Sequence, residues 1–556
     1  MPIKRVSVLV AIVAAIGLLT AACTENDTGG GGAGKGAGST GNERAAGDWF
    51  DIACDVPLRT LRIVDRGTVV GRSPDITFLP KRPHFTGGFD FTSHSGPDDY
   101  LQEVPLTLYG PGFIRRQGTI ELDRQPTVAD IAPTIAELID FPFPTGRPGI
   151  AVEEALLPPE ERAGKPALVM VVAWDGGGLN VLDEWPGAWP NLVRFGELGT
   201  AVDGAIVGSS PSVTPAVHAT IGTGAFPNRH KTVDIYMRVG DGIEEAWADV
   251  SPKLLRMPTL ADLYDRANDN EPEMGVVAEH PWHFGMLGHG AATPGGDHDM
   301  AALINHSGET ETNPSLYSLP FSAIDVPGLD EAIRSVDADD GAIDSQWMGH
   351  ELTGKAKGTP AWIKHQSNIT KSVLTGEGFG QDDIPDLFFT NYKVLDLVGH
   401  EYNMVNPEVR SALEYTDTEL AVLEDYLNQS VGRNRWVMIV TADHGQQPDA
   451  SAIDAWPIGV QEMAADLAAH FDLEQDELVQ ETRVTGLWLD REALESAGGS
   501  VDEAAEFLLD YTIADNAPGD IPPEYRSRRN ERLIETILPS ERLADIIECA
   551  EKPDQG

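Results

Sequence analysis

Short apolar runs recur along the chain and predict buried strands. Three of them are "ALVMVVAW", "DLFFTNY" and "RWVMIVTA", and "EVPLTLYG" is a fourth nearer the N-terminus. Longer stretches with helical character lie between them, for example "PEVRSALEYTDTELAVLEDYLNQ" and "AWPIGVQEMAADLAAHF". Because strands and helices alternate, we expect an α/β fold with a mostly parallel central sheet and helices on both faces.

Acidic residues and histidines follow these runs. Asp175 ends the first run, Asp396 and His400 lie just beyond the second, and Asp443 and His444 end the third. Each signal is weak alone, since an aspartate after a strand is usually a turn residue or a helix cap. Asp396 and His400 are four residues apart and would share one face of a helix, but a solvent-exposed pair with no function would have the same spacing. Together they predict a site at the carboxyl ends of the strands.

A candidate nucleophile, Thr214, lies in "GSSPSVTPAVHATIGTGAFPNRH". Thr214 precedes Pro215, a pair typical of a helix start, so a plain capping threonine is the alternative interpretation. The free N–H groups and dipole of a helix N-terminus favour an alkoxide or a bound phosphate. A threonine hydroxyl is otherwise a poor nucleophile and needs a metal ion to lower its pKa.

The N-terminus predicts export. Lys4 and Arg5 precede an apolar stretch over residues 6–19, and small residues lead into Cys23. This pattern resembles the lipobox of bacterial lipoproteins, with Thr20 where leucine is usual. We therefore expect a signal peptide over residues 1–23, lipidation of Cys23 and a Gly-rich tether over residues 24–48. The alternative is an ordinary cleaved signal with an incidental cysteine. The expected location is the extracytoplasmic face of the membrane, reached only through the lipid anchor.

The net charge bears on possible partners, and the cysteine content bears on disulfide formation. Lys and Arg total 40 against 88 Asp and Glu, a formal net charge of −48, which disfavours nucleic acid as a partner. Of the 3 cysteines, Cys54 and Cys549 remain after Cys23. In an oxidising compartment we expect these two to form a disulfide, and two unpaired buried cysteines are the alternative.

The combined motifs carry a family resemblance. Asp175-Gly-Gly-Gly, Thr214 with His218, Asp396-x-x-x-His400 and Asp443-His444-Gly are together similar to the alkaline phosphatase superfamily. They most resemble its nucleotide pyrophosphatase/type I phosphodiesterase branch. The resemblance implies two divalent ions, with zinc the ion that such Asp and His donors suit. It implies one ion held by the residues Asp175, Thr214, Asp443 and His444. It implies a second ion held by Asp396, His400 and a histidine near the family's C-terminus.

That last histidine is missing from its usual place. After His444 the chain has only His470, which lies in a helical stretch. However, "SHSGPDDYLQEVPLTLYGPG" and residues 127–157 resemble the family's C-terminal segment. We therefore expect a circular permutation in which His94 is the third ligand. The catalytic domain would span residues 49–550, with the permuted segment at 60–157 and the remainder at 165–550. A Cys54–Cys549 disulfide would close the gap between the two segments.

The sequence departs from the family at the substrate pocket. Ile235 stands where the family usually has an asparagine that contacts a phosphoryl oxygen. His280 and His283, followed by His289, occur where related monoesterases carry basic residues. We expect His280 and His283 to bind substrate, with loop histidines that only form hydrogen bonds as the alternative. His218 and His230 are expected to brace the nucleophile helix.

The resemblance implies a metal-dependent hydrolase of phosphoric esters, of the phosphodiesterase/nucleotide pyrophosphatase type, that acts on a small phosphoester. A phosphomonoesterase at the same site is the nearest alternative. A non-catalytic, ligand-binding envelope lipoprotein is the alternative from another class. Sulfatase activity is disfavoured because Thr214-Pro215-Ala216 lacks both the cysteine or serine and the arginine of that branch.

Overall fold

The computed structural model describes residues 49–88, 92–352, 357–517 and 519–552. The expected signal peptide, Cys23 and the expected tether lie outside these residues. The described residues form one compact unit. Within the described ranges, no helix has both the length and the apolar character that crossing a membrane requires.

The strands form a central sheet and several smaller ones. In chain order they are β1 (Ile76–Pro80), β2 (Phe85–Thr86), β3 (Leu106–Tyr109), β4 (Gly118–Ile120), β5 (Leu168–Trp174), β6 (Thr200–Val202), β7 (Tyr236–Val239), β8 (Gly242–Glu245), β9 (Met274–Ala278), β10 (Met300–Ile304), β11 (Thr310–Glu311), β12 (Gln346–Trp347), β13 (His350–Glu351), β14 (Asp386–Tyr392), β15 (Trp436–Ala442), β16 (Pro457–Ile458), β17 (Val479–Arg483), β18 (Gly486–Leu489) and β19 (Ile534–Pro539).

The helices connect these strands. They are α1 (Trp49–Cys54), α2 (Leu58–Gly67), α3 (Asp99–Gln102), α4 (Ile131–Leu138), α5 (Leu179–Glu184), α6 (Pro190–Leu198), α7 (Thr214–Thr223), α8 (Pro227–His230), α9 (Leu260–Ala267), α10 (Leu329–Asp339), α11 (Pro360–Gly376), α12 (Val394–Tyr402), α13 (Pro407–Leu427), α14 (Val460–His470), α15 (Gln475–Leu478), α16 (Arg491–Ser496), α17 (Val501–Leu509) and α18 (Leu543–Ala550). The two helical stretches expected from the sequence correspond to α13 and α14.

The central sheet has the order β11-β10-β9-β14-β5-β15-β3-β6-β4. Its middle strands β10, β9, β14, β5 and β15 are all parallel to their neighbours in this run. β3, from the early part of the chain, adds to the sheet antiparallel to β15. The predicted mostly parallel α/β sheet is confirmed, and the four sequence runs are the strands β5, β14, β15 and β3.

Both faces of this sheet are covered, because its central strands are apolar on both sides. Along β5, Val169 and Val171 lie in one buried cluster, whereas Met170 and Val172 lie in another. Successive side chains of a strand point to opposite faces, so an unbroken apolar run requires a core on each face. The carboxyl ends of the strands are then the place where polar groups can gather.

A second sheet, β17-β18-β1-β19, joins the two ends of the described chain and was not predicted. β1 pairs antiparallel with β19 over Ile76–Pro80. Nearby, the Cys54–Cys549 disulfide links α1 to α18 with a Cα–Cα distance of 5.6 Å, across a sequence separation of 495. The predicted disulfide is therefore confirmed.

Candidate active site

The candidate nucleophile lies at the start of a buried helix. α7 begins at Thr214, has Pro215 in its first turn and is buried along its whole length. A Cβ atom added to Gly222 would lie 2.3 Å from the carbonyl oxygen of Gly285, so α7 packs directly against the turn that carries His283. Val213, at the cap position, makes no side-chain cap hydrogen bond. The N–H groups of the first turn are thus without a side-chain cap.

His94, Asp396 and His400 form what we call the first ligand set. Asp396 Oδ1 lies 3.3 Å from His400 Nε2 and 3.7 Å from His94 Nε2. α12 places Asp396 and His400 on one face, one turn apart. The far nitrogen of each histidine faces a backbone carbonyl, with His400 Nδ1 2.5 Å from Thr92 O and His94 Nδ1 3.3 Å from Ser212 O. These contacts orient both Nε2 atoms towards the carboxylate.

We call Asp175, Thr214, Asp443 and His444, the expected ligands of the other ion, the second ligand set. His444 Nε2 lies 3.5 Å from both Asp175 Oδ1 and Asp443 Oδ2. Gly176 adopts φ +66°, which favours glycine, and its N–H donates to Asp443 Oδ1 at 3.0 Å. The glycine after Asp175 therefore joins the ends of β5 and β15.

The two ligand sets adjoin one another. The rings of His94 and His444 stack with centroids 3.5 Å apart and an interplanar angle of 6°. Asp396 Oδ1 lies 3.9 Å from His444 Nε2. The structure thus brings together all seven residues that the sequence analysis named as metal ligands.

Unpartnered polar atoms at this centre fit a cation. Asp396 Oδ1, Asp443 Oδ2 and His444 Nε2 are buried and accept or donate no hydrogen bond among the described residues. Burying such atoms without a partner costs about 1–3 kcal/mol each. A divalent ion would satisfy them, and a mixture of carboxylate oxygens and imidazole nitrogens suits zinc.

Lys393 is a charged residue of this centre that the sequence analysis did not identify. Its Nζ atom lies 2.7 Å from Asp396 Oδ2 and 2.9 Å from Asp175 Oδ1. The same atom is 3.5 Å from the Thr214 hydroxyl oxygen. The available signal was a single lysine directly after the apolar run "DLFFTNY", three residues before Asp396.

Neighbouring charges shift the pKa values of the three buried carboxyl groups in different directions. Burial raises the pKa of Asp175, but the Lys393 ammonium and a hydrogen bond from His283 hold this pKa well below its usual range. Asp396 is held low in the same way by His400 and Lys393. Burial and the neighbouring Asp175 charge instead raise the pKa of Asp443. Asp175 and Asp396 are therefore the charged carboxylates of the centre.

Two further histidines pack around the second ligand set. His283 Nε2 lies 3.1 Å from Asp175 Oδ2, on the side opposite Lys393. His218 Nδ1 donates to the Thr214 carbonyl at 2.8 Å, and the Asn391 amide donates to its Nε2 at 2.8 Å. Burial lowers the pKa of His218 to about 3, so its ring is neutral. His283 thus orients Asp175, and His218 braces the first turn of α7.

The other histidines lie further from the ligand sets. His280 stacks on Trp282 with a centroid distance of 4.9 Å. His289 Nδ1 lies 2.8 Å from Asp262 Oδ2, which anchors its loop. His230 Nε2 lies 3.1 Å from the Thr220 hydroxyl and supports α7 from its far end.

Glu279 is a second residue that the sequence analysis missed. It directly follows β9, and both of its buried carboxyl oxygens lack a hydrogen-bond partner among the described residues. Burial raises its pKa to about 7, an effect that Lys357 and Lys393 partly oppose and Asp175 reinforces. An acidic group therefore lies beside the candidate pocket where the sequence suggested only histidines.

A threonine at a buried helix start, beside carboxylates and imidazoles at the carboxyl ends of a mostly parallel sheet, is the arrangement of the alkaline phosphatase superfamily. A model of the type I phosphodiesterase / nucleotide pyrophosphatase family matches residues 169–553. The chain belongs to this family.

Individual relatives are distant. Alkaline phosphatase PafA of Elizabethkingia meningoseptica is 23% identical over 162 residues, which cover 28% of this chain and 30% of that relative. A crystal structure of wild-type PafA has a TM-score of 0.48 at 15% identity, covering 67% of this chain and 84% of that chain. Phosphonoacetate hydrolase from Sinorhizobium meliloti 1021, in complex with phosphonoacetate, has a TM-score of 0.30 at 20% identity, covering 50% and 57% respectively.

Proposed function

We propose that this protein is an exported, metal-dependent hydrolase of small phosphoric esters, of the phosphodiesterase/nucleotide pyrophosphatase type. The observation that carries the proposal is the position of Thr214. Its hydroxyl lies at the buried start of α7 and contacts Lys393, whose ammonium also contacts Asp175. Family membership supports the reaction class.

The proposed reaction uses Thr214 as nucleophile. Its Oγ1 atom attacks phosphorus, the bond from phosphorus to the leaving alcohol oxygen breaks, and a phosphothreonine forms. The threonine proton passes to solvent, and the leaving oxygen takes up a proton. Water then attacks the phosphothreonine and releases the phosphoryl product and the threonine hydroxyl. Divalent ions held by the first and second ligand sets would supply positive charge that favours the threonine alkoxide and the transferring phosphoryl group.

Neighbouring residues would position these groups. The N–H groups at the start of α7 have no side-chain cap and would be available to a phosphoryl oxygen, because a helix N-terminus favours an anion. His283 holds Asp175 in place, as a hydrogen-bonded partner behind a metal ligand does. Ile235 offers no side-chain amide, so we assign phosphoryl binding to the helix start rather than to the family's asparagine position.

We also propose the circular permutation. His94, from the segment 60–157, lies beside Asp396, and β3 of the same segment pairs with β15. The disulfide holds residues near the two ends of the catalytic domain 49–550 together. These contacts support a family C-terminal segment placed ahead of its N-terminal strand.

The proposed location is the cell envelope. The Cys54–Cys549 disulfide supports export to an oxidising compartment. The lipid anchor at Cys23 rests on the sequence pattern of residues 1–23.

The test is a comparison of two substrates. Zinc-loaded protein is offered bis-p-nitrophenyl phosphate and p-nitrophenyl phosphate side by side, with Thr214→Ala as the control. Faster turnover of the diester is the expected result. Faster turnover of the monoester would support the phosphomonoesterase alternative. Turnover of neither substrate, with zinc bound, would support the ligand-binding alternative.

A further inference from the structure

Lys393 holds a fixed position at the centre. It directly precedes α12, and its side chain is only 6% exposed. Its ammonium group donates hydrogen bonds to Asp175 Oδ1 at 2.9 Å and to the Thr214 hydroxyl at 3.5 Å, and it forms an ion pair with Asp396 Oδ2 at 2.7 Å. A buried ammonium in contact with two carboxylates and a hydroxyl is a built element of the site and not a surface charge that happens to point inwards.

The two ligand sets relate differently to this ammonium. In the first set, Asp396 presents Oδ1 to His94 and His400 and turns Oδ2 to Lys393. A cation bound by the first set therefore does not share Asp396 Oδ1 with the ammonium. In the second set, the oxygen nearest to both His444 and Lys393 is the same atom, Asp175 Oδ1. A cation bound there must share this oxygen with the ammonium.

The charge around the second ligand set also disfavours a tightly held ion there. The Lys393 ammonium lies 2.9 Å from Asp175 Oδ1 and 2.7 Å from Asp396 Oδ2, so it already offsets carboxylate charge in the absence of metal. A divalent ion in the second ligand set would add positive charge directly beside this buried ammonium. Like charges a few ångströms apart repel strongly where water is excluded.

We propose that Lys393 is a tethered cation of the second ligand set, so that the resting protein holds metal tightly in the first set and only weakly in the second. The ammonium supplies positive charge next to the Thr214 hydroxyl in place of a tightly held ion. This inference deepens the proposed function and rests on it in one respect, that the ligand sets bind metal.

The first test measures zinc content without any substrate. Full-length protein is dialysed against zinc-limited buffer, and bound zinc is measured by mass spectrometry. We expect one equivalent in the wild type and two in Lys393→Met. The second zinc should bind at least about tenfold more tightly in the variant, because the competing charge is gone. Lys357→Met, a buried lysine whose Nζ contacts the carbonyl of Glu279, is the matched control and should keep one equivalent.

A second pair of variants tests the same inference with Lys393 intact. In the resting protein, His94→Ala should lose the tight zinc, whereas His444→Ala should retain it. Two tightly held equivalents in the wild type, or loss of the tight zinc in His444→Ala alone, would overturn the inference.

The outcomes also separate this inference from the proposed function. If neither the wild type nor Lys393→Met binds zinc, the proposed metal-dependent hydrolase fails. If the wild type binds two equivalents tightly and hydrolyses the diester, the proposed function stands and the proposed role of Lys393 is wrong.

Thermal unfolding with and without a chelator adds a further measurement. The chelator should lower the unfolding temperature of Lys393→Met more than that of the wild type, because its carboxylates then lack any cation.

Discussion

The two ligand sets contain the same kinds of donor but are assembled differently. The first joins His94, from the early part of the chain, to Asp396 and His400 on a single helix. The second joins the ends of two adjacent strands, at Asp175 and Asp443, to the start of α7. One set thus depends on a contact between distant stretches of sequence, whereas the other is fixed by neighbouring strands of one sheet.

For metal binding, the two ligand sets differ more in the charges around them than in how their donors are assembled. The free oxygen of the first set, Asp396 Oδ1, faces only imidazoles, but the shared oxygen of the second set also faces Lys393. The second set is also the one that contains the proposed nucleophile, Thr214. Under the proposed function, the site therefore divides into a part that would hold metal and a part in which charge lies next to the proposed nucleophile.

The largest expected effect comes from Thr214→Ala. Removing the attacking oxygen should lower kcat for bis-p-nitrophenyl phosphate by at least about 10⁴-fold, the scale found when a nucleophile is deleted. The zinc held by the first set should remain, which metal analysis of the same sample checks. Thr214→Ser keeps a hydroxyl and is the matched control, with measurable turnover. An alanine variant that retains a tenth of wild-type turnover would remove Thr214 from the nucleophile's role.

His94→Ala tests the first set directly. We expect kcat to fall by about 10³-fold together with loss of the tight zinc, because a missing ligand both weakens metal binding and opens the site to water. His470→Ala is the control, since this histidine lies at the exposed end of α14 next to Phe507. Unchanged zinc content and turnover in His94→Ala would exclude the ring from the centre and remove the main support for the permutation.

The strands and their polar ends were predictable because their signals are local. The apolar runs of β5, β14 and β15 specify strands buried on both faces, and Asp175, Asp443 and His444 follow directly in sequence. The helix start at Thr214 is likewise predicted by Pro215, because proline is favoured in the first turn of a helix.

Other features depend on tertiary contacts that have no local signal. The four-stranded sheet that joins β1 to β19 pairs segments at opposite ends of the chain, and its short strands carry little periodicity. Lys393 and Glu279 acquire their roles only through burial beside Asp175. A lysine or glutamate next to an apolar run is more often a solvated residue, so the sequence alone gives no reason to choose these two.

Removing the disulfide tests the region that supplies His94. The double variant Cys54→Ser with Cys549→Ser should lower the free energy of unfolding by about 2–4 kcal/mol, because the open chain gains conformational freedom when it unfolds. Thermal unfolding measures the loss, and reduced wild type is the control. Turnover at 25 °C should persist, since neither cysteine lies in a ligand set. Unfolding at the same temperature as the oxidised wild type would show that the β1–β19 pairing holds the ends together unaided.

Glu279→Gln is expected to have the smallest effect. It removes the titratable carboxyl group beside the second ligand set and should change only the pH dependence of stability. The pKa of Glu279 in the folded protein is about 7, against an ordinary value of 4.5. Between these values the folded state binds a proton that the unfolded chain has lost, so stability falls as pH rises through this window. Above pH 7 the full cost of the buried charge, at most about 3 kcal/mol, is present. The variant should therefore match the wild type at pH 4 and unfold at a higher temperature at pH 8. Exposed Glu535→Gln is the control, and an equal shift at both pH values would show that protonation of Glu279 is not the cause.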